Sequence, residues 1–135
     1  MKMETRQATL DHLNLTVTSF ERTVAWYKKV FGFEVVEQGM EEDGPWGVLK
    51  NGDSMLCVYE SPKRDILDSE RFHQIYHFGL RIENREQWEQ TLRQESIPTH
   101  YGSPVQYPHS TSWYVTDPSG YRIEVALWNK NEIRF

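Results

Sequence analysis

The chain contains one pattern twice. His12-Leu-Asn-Leu-Thr-Val17 and His77-Phe-Gly-Leu-Arg-Ile82 both set an alternation of polar and apolar residues behind a leading histidine. Each is followed by a helix-like stretch and then by strand-like segments. A repeat of about 60 residues means that each unit is a supersecondary structure whose apolar face needs a neighbour to cover it. A chain of 135 residues has room for two such units around a shared core.

The first unit reads as follows. From Asp11 to Val17, Leu13, Leu15 and Val17 point one way and His12, Asn14 and Thr16 the other, which predicts a half-buried strand. Ser19 is placed to cap a helix whose apolar stripe is Phe20, Val24, Tyr27, Val30 and Phe31, and Gly32 ends it. Phe33 to Val36 predicts a short strand, and the polar stretch Glu37 to Gly44 reads as a loop. Trp46 to Leu49 and Ser54 to Tyr59 flank Asn51-Gly52, a strong hairpin signal.

The second unit repeats this order. Residues 61–72 are charged, carry Pro62 and read as a linker. Ile75 to Ile82 alternates, with Phe78, Leu80 and Ile82 on one face. A helix is expected from Asn84, its cap, to Glu95. Residues 98–110 hold three of the six prolines and predict a loop or an irregular edge. Ser112 to Thr116 and Tyr121 to Trp128 form a closing hairpin around Asp117-Pro-Ser-Gly120, a type I turn sequence. In this alignment Gly52-Asp-Ser-Met-Leu56 falls on Gly120-Tyr-Arg-Ile-Glu124, so Leu56 stands where the second unit has Glu124. The expected architecture is α+β, a single domain built of βαβββ repeats 10–60 and 73–128, with helices on one face of curved sheets. Residues 1–9 are polar and expected to fray.

Composition removes several classes. Aromatic residues make up 13% (Trp 5, Tyr 7, Phe 6), enough large rings to build a core and too many for a disordered chain. A formal net charge of −5 without a basic block argues against nucleic acid or an anionic membrane as partner. No apolar run reaches the roughly 18 residues that a spanning helix needs, and Met1 to Leu10 lacks a signal-peptide core. Cys57 is the single cysteine, which precludes an intrachain disulfide and fits a cytoplasmic setting. GxSxG, Walker A and GxGxxG patterns are absent.

The ordered set Asp11-His12-Leu, Trp26-Tyr27, Phe31-Gly-Phe33, His77-Phe-Gly-Leu and Asp117-Pro-Ser-Gly-Tyr-Arg-Ile-Glu124 resembles the vicinal oxygen chelate superfamily over residues 10–128. That superfamily holds glyoxalase I, extradiol dioxygenases, fosfomycin-resistance thiol transferases and bleomycin-binding proteins. The resemblance implies a curved mixed sheet around a cleft, with metal ligands on the repeat strands: His12, His77 and Glu124. The residue pattern agrees, because each of the three alternates with an apolar triplet. Two imidazoles and a carboxylate suit Fe(II) best, with Mn, Zn, Ni or Co as alternatives.

Leu56 in place of a second carboxylate argues against a four-ligand glyoxalase site, and Cys57, of opposite parity, is expected to pack inward. His73 and His77 are spaced i,i+4, yet on a strand they lie about 13 Å apart, too far for one ion. Trp113-Tyr114 to Glu124 resembles the extradiol dioxygenase signature, which implies that Tyr114 hydrogen-bonds a bound diol, with His109 a candidate proton donor on a Pro-flanked loop.

The leading expectation is therefore an extradiol-type dioxygenase acting on a small vicinal diol or catechol. The alternatives are a metal-dependent thiol transferase of the fosfomycin-resistance type and a metal-free, bleomycin-resistance-like binding protein. The thiol-transferase pattern is broken at Asn14 and by the absence of lysine in 102–112. Arg81 and Arg122 share the ligand face by parity, either as rim charges or as holders of an anionic substrate group. The resemblance also implies a homodimer, in which one site would draw His12 from one chain and His77 with Glu124 from the other.

Overall fold

The structure is a computed structural model that describes residues 10–42, 44–61 and 77–133. His73, residues 1–9 and all of the linker except Ser61 lie outside the described residues. The first unit runs β1 (Leu13–Val17), α1 (Phe20–Phe31), β2 (Glu34–Glu41), β3 (Gly44–Asn51) and β4 (Ser54–Glu60). The second runs β5 (Phe78–Arg81), α2 (Arg85–Gln94), β6 (His100–Gln106), β7 (Ser110–Thr116) and β8 (Arg122–Trp128). Each makes a four-stranded mixed sheet, with orders β1-β4-β3-β2 and β5-β8-β7-β6. The pairs β1–β4 and β5–β8 are parallel and the rest antiparallel. The expected α+β fold of two βαβββ repeats is what the chain adopts.

Local chemistry explains the helices. Ser19 Oγ accepts from the Arg22 N–H at 3.2 Å and so satisfies one orphan donor of α1. Gly32 closes α1 in the left-handed conformation, its N–H bonded to the Lys28 carbonyl at 3.0 Å. Asn84 Oδ1 accepts from the Gln87 N–H at 3.0 Å and starts α2. The Asp117 turn also forms as expected, with the Gly120 N–H on the Asp117 carbonyl at 3.0 Å.

The expected loop at Glu37 to Gly44 is corrected: Glu34–Glu41 is one edge strand, and β3 begins at Gly44. It pairs with β3 on one side only and leaves most side chains exposed, so its sequence carries no apolar alternation to read. Gly39, inside this strand, sits opposite Trp46, and a Cβ on it would come within 2.7 Å of the indole. Residues 98–110 do form an irregular edge: β6 carries a register shift between His100 and Val105.

One core joins the halves. Leu15, Val17, Tyr27, Leu49 and Val58 from the first unit meet Trp88, Trp113, Val115, Ile123 and Val125 from the second. The rings of Phe31 and Trp88 stack at 5.5 Å, so α1 and α2 touch through their aromatic faces. The β7–β8 turn docks on the first unit. The Tyr27 hydroxyl donates to Asp117 Oδ2 at 2.7 Å, the Thr18 N–H to Ser119 Oγ at 3.0 Å, and the Tyr121 hydroxyl to the Thr16 carbonyl at 2.9 Å. Among the described residues, no helix is long and apolar enough to cross a membrane.

Candidate functional site

Sheet parity decides what shares a surface. Along β8, Ile123 and Val125 are buried in the core, so Arg122, Glu124 and Ala126 face the other way. On β7 the residues opposite these are Thr116, Tyr114 and Ser112. His77 stands just before β5, whose Gly79 is paired with Glu124.

This brings two of the expected ligands together. His77 Nε2 lies 3.0 Å from Glu124 Oε1. The other carboxylate oxygen, Oε2, accepts from Ser112 Oγ at 2.8 Å. The Tyr114 ring stands edge-on to His77, with centroids 5.8 Å apart, and its hydroxyl lies 2.7 Å from that of Tyr107. Burial first, then the Tyr107 contact and the negative charge of Glu124, push the Tyr114 phenol well above its ordinary value of 10.0. Tyr114 is therefore a neutral donor at working pH.

His12 goes elsewhere within the chain. Its Nδ1 lies 2.7 Å from Asp11 Oδ2, and the ring lines a small side pocket with Met55, Leu56 and Phe78. Among the described residues, no group of three or more His, Cys, Asp and Glu converges on one point. His109 sits in the turn before β7. Its backbone is tied to the end of β8, where the Asn129 N–H donates to the His109 carbonyl at 3.0 Å, five residues beyond Glu124.

The donor pair fits part of a metal site. A separation of 3.0 Å between His77 Nε2 and Glu124 Oε1 is what two ligands at right angles make when each is about 2.1 Å from one ion. The imidazole and carboxylate suit the borderline divalent metals, and the Ser112 hydrogen bond orients the carboxylate from behind. A third protein donor has to come from beyond these two residues.

The register corrects the repeat alignment. Leu13 pairs with Leu56 and Asn14 with Cys57 in the first sheet, whereas Phe78 pairs with Ile123 and Gly79 with Glu124 in the second. Cys57, not Leu56, is the counterpart of Glu124. Leu56 is a core residue, and Cys57 is half-buried on the opposite face, beside Val48, rather than packed inward. Both strands begin two residues after the glycine, at Ser54 and Arg122, but the first core-facing residue is the third of β4 (Leu56) and the second of β8 (Ile123), so an alignment on the glycines is one residue out of parity.

Sequence reading missed Ser112 and Tyr107. Ser112 was open to detection, because it shares strand parity with Tyr114. Tyr107 was not, because it lies beyond the regular part of β6.

Two βαβββ units that cover a common core with two helices define a fold class, and comparison places the chain within it. The family profile of the glyoxalase/bleomycin resistance protein/dioxygenase superfamily matches residues 9–125, and the chain belongs to that superfamily. A glyoxalase/bleomycin resistance protein/dioxygenase domain from a Frankia species superposes with a TM-score of 0.79 at 16% identity, covering 94% of this chain and 96% of its own. A fosfomycin resistance protein from Listeria monocytogenes, solved with Mn(II) and sulfate, gives 0.69 at 15% identity, covering 92% and 95%. An antibiotic binding protein from a Streptomyces species gives 0.68 at 15% identity, covering 93% and 100%. No curated protein sequence matches the chain.

Proposed function

We propose that this chain is a metal-dependent enzyme of the superfamily that works as a homodimer and cleaves a small vicinal diol or catechol in the manner of an extradiol dioxygenase. The observation that carries the reading is the His77–Glu124 pair at 3.0 Å with the neutral phenol of Tyr114 beside it. His77 and Glu124 would hold a divalent ion, Fe(II) by the chemistry of the donors, together with His12 of a second copy. Sharing the site between copies accounts for a His12 that is half-exposed and rests on Asp11 rather than on the pair in a single chain. A bound ion of this kind supplies Lewis-acid chemistry, lowering the pKa of a coordinated hydroxyl.

The protein's own groups do the rest. Ser112 fixes the Glu124 carboxylate through Oε2. Tyr114 keeps its proton and donates a hydrogen bond to an oxygen on which charge develops. Tyr107 orients that hydroxyl at 2.7 Å, and the Tyr101 ring stands edge-on to Tyr114 at 5.1 Å.

One observation favours a second reading. His77 and Glu124 satisfy each other directly, and His12 rests on Asp11, an arrangement that also suits a metal-free binding protein.

Elemental analysis of untagged protein purified anaerobically, with Glu124→Ala and His12→Ala alongside, separates the two. The enzyme reading expects about one iron per chain, loss of iron in either variant, and partial recovery when the two variants are mixed and allowed to exchange subunits. Stoichiometric manganese or zinc would keep the site and move thiol transfer ahead of ring cleavage. Absence of metal from the wild type after reconstitution would leave the binding-protein reading.

A further inference from the structure

A second hollow lies away from the His77–Glu124 pair. A cavity of about 450 Å³ sits where the last turn of α1, the first turns of α2 and the end of β5 meet. That volume falls within the roughly 300–1,000 Å³ of small-molecule sites. Among the described residues, no histidine or cysteine lines it, and neither Tyr114 nor Glu124 does. Its residues suit binding rather than chemistry.

Part of the wall is apolar. The rings of Phe31 and Trp88 stack there, their planes 11° apart, and Leu80 and Ile82 of β5 line the cavity with them. An aromatic or aliphatic body finds surface to pack against on these side chains. The charged part of the lining is mainly cationic. Lys28, Lys29 and Arg81 stand against one carboxylate, that of Glu83. The chain as a whole carries a net charge of −5, so the balance is reversed at this spot. Lys28 is shared with Glu34 at 3.5 Å, whereas Lys29 has no ion pair among the described residues. The first turn of α2 also borders the cavity through Asn84 and Gln87, and the N-terminus of a helix favours an anion.

Trp88 adds an independent sign. Its side chain is 4% exposed, and its indole N–H is buried with no hydrogen-bond partner among the described residues. Buried donors are paired as a rule, with protein, water or a ligand. Asn84 Oδ1 is taken by the Gln87 N–H at 3.0 Å, so the cap cannot serve. Lys29 and the Trp88 N–H are both donors, and the counterpart that suits both is a charged oxygen acceptor.

We infer that this cavity is a ligand site in its own right, and that it takes a small organic anion, with an apolar body against Phe31 and Trp88 and a carboxylate or phosphate held by Lys29. The inference stands apart from the reading of His77 and Glu124 as metal ligands.

The experiment follows the indole N–H signals of the five tryptophans by NMR of the 15N-labelled protein, assigned through bonds so that no variant of Trp88 is needed. Phenylacetate and phenyl phosphate are the anionic probes, and 2-phenylethanol is the neutral one. An anionic probe is expected to move the Trp88 signal downfield and saturably, while that of Trp46, which does not line the cavity, stays in place. It should bind at least about fivefold more tightly than the alcohol, the gain of a charge-assisted hydrogen bond at a partly exposed site. Lys29→Gln should remove that preference and leave the melting temperature unchanged, because Lys29 is exposed. A response to phenylacetate alone or to phenyl phosphate alone upholds the site and names its anion. A Trp88 signal that ignores both anions, equal affinity for the alcohol, or a preference that survives Lys29→Gln overturns the inference.

Discussion

Asp117 is the residue whose loss should cost the fold most for its size. It is 4% exposed and saturated with donors. Oδ2 accepts from the Tyr27 hydroxyl at 2.7 Å, and Oδ1 accepts from the N–H groups of Ser119 and Tyr121, each at 2.9 Å. Asp117→Ala strands three buried donors. At about 1–3 kcal/mol per unsatisfied group, less the relief of no longer burying a carboxylate, the loss is about 3–6 kcal/mol. That is a large share of the roughly 5–15 kcal/mol of a typical domain. Asp117→Asn keeps Oδ1 for both N–H groups and turns its amide toward the Tyr27 oxygen, so its cost should stay below about 1.5 kcal/mol.

The two variants also differ from wild type in pH dependence. Burial raises the Asp117 carboxyl above its ordinary 3.8, although hydrogen bonds from Tyr27, Tyr121 and Ser119 pull the other way. The native state therefore binds this proton more readily than the unfolded chain. The contribution of Asp117 is greatest below 3.8 and declines as pH rises through the folded value. Asparagine has no such dependence, so wild type should gain on Asp117→Asn as pH falls toward 4. Urea unfolding followed by tryptophan fluorescence at pH 7 measures the first difference, and a series down to pH 4 the second. If Asp117→Ala unfolds within about 1 kcal/mol of Asp117→Asn, the staple between turn and helix is not what holds the halves together.

Two further perturbations follow from close contacts. A Cβ at Gly47 would lie 2.8 Å from the Phe20 ring and 3.2 Å from the Glu37 carbonyl oxygen. Gly47→Ala should cost about 1–3 kcal/mol, seen as a melting temperature several degrees lower, and Phe20→Leu in the same chain should recover part of it. Ser112→Ala removes the hydrogen bond to Glu124 Oε2 and should weaken metal affinity by about tenfold in a competitive chelator titration while the melting temperature barely moves. Unchanged affinity would show that Ser112 does not orient the carboxylate.

Local signals were legible wherever the residues that form an element also encode it. The alternation behind His12 and His77 announced β1 and β5, Ser19 and Asn84 marked the helix starts, and Asp117-Pro-Ser-Gly120 named its turn. The period of an apolar face and the chemistry of a cap reside within a few adjacent residues. The same parity argument put Glu124 and Arg122 on one face before any strand was paired, whereas Tyr114 was marked by its resemblance to a family signature. The second half of β2, from Glu37 on, was silent because an edge held by hydrogen bonds on one side needs no apolar pattern.

What only the tertiary structure decided was lateral. Whether Leu56 or Cys57 answers to Glu124 depends on the register between β1 and β4, and a one-residue slip exchanges the faces. His12 and His77 look equivalent in the sequence, yet one rests on Asp11 and the other on Glu124, because only the second has a carboxylate across its parallel pair. Tyr101 gains its place from a bulge tied by Ser103 to a strand that follows it in the chain. The sequence by itself therefore determined the repeat, the helices and the turn. The pairing of strands across the sheets determined which side chains meet, because register is set by hydrogen bonds between segments far apart in the chain.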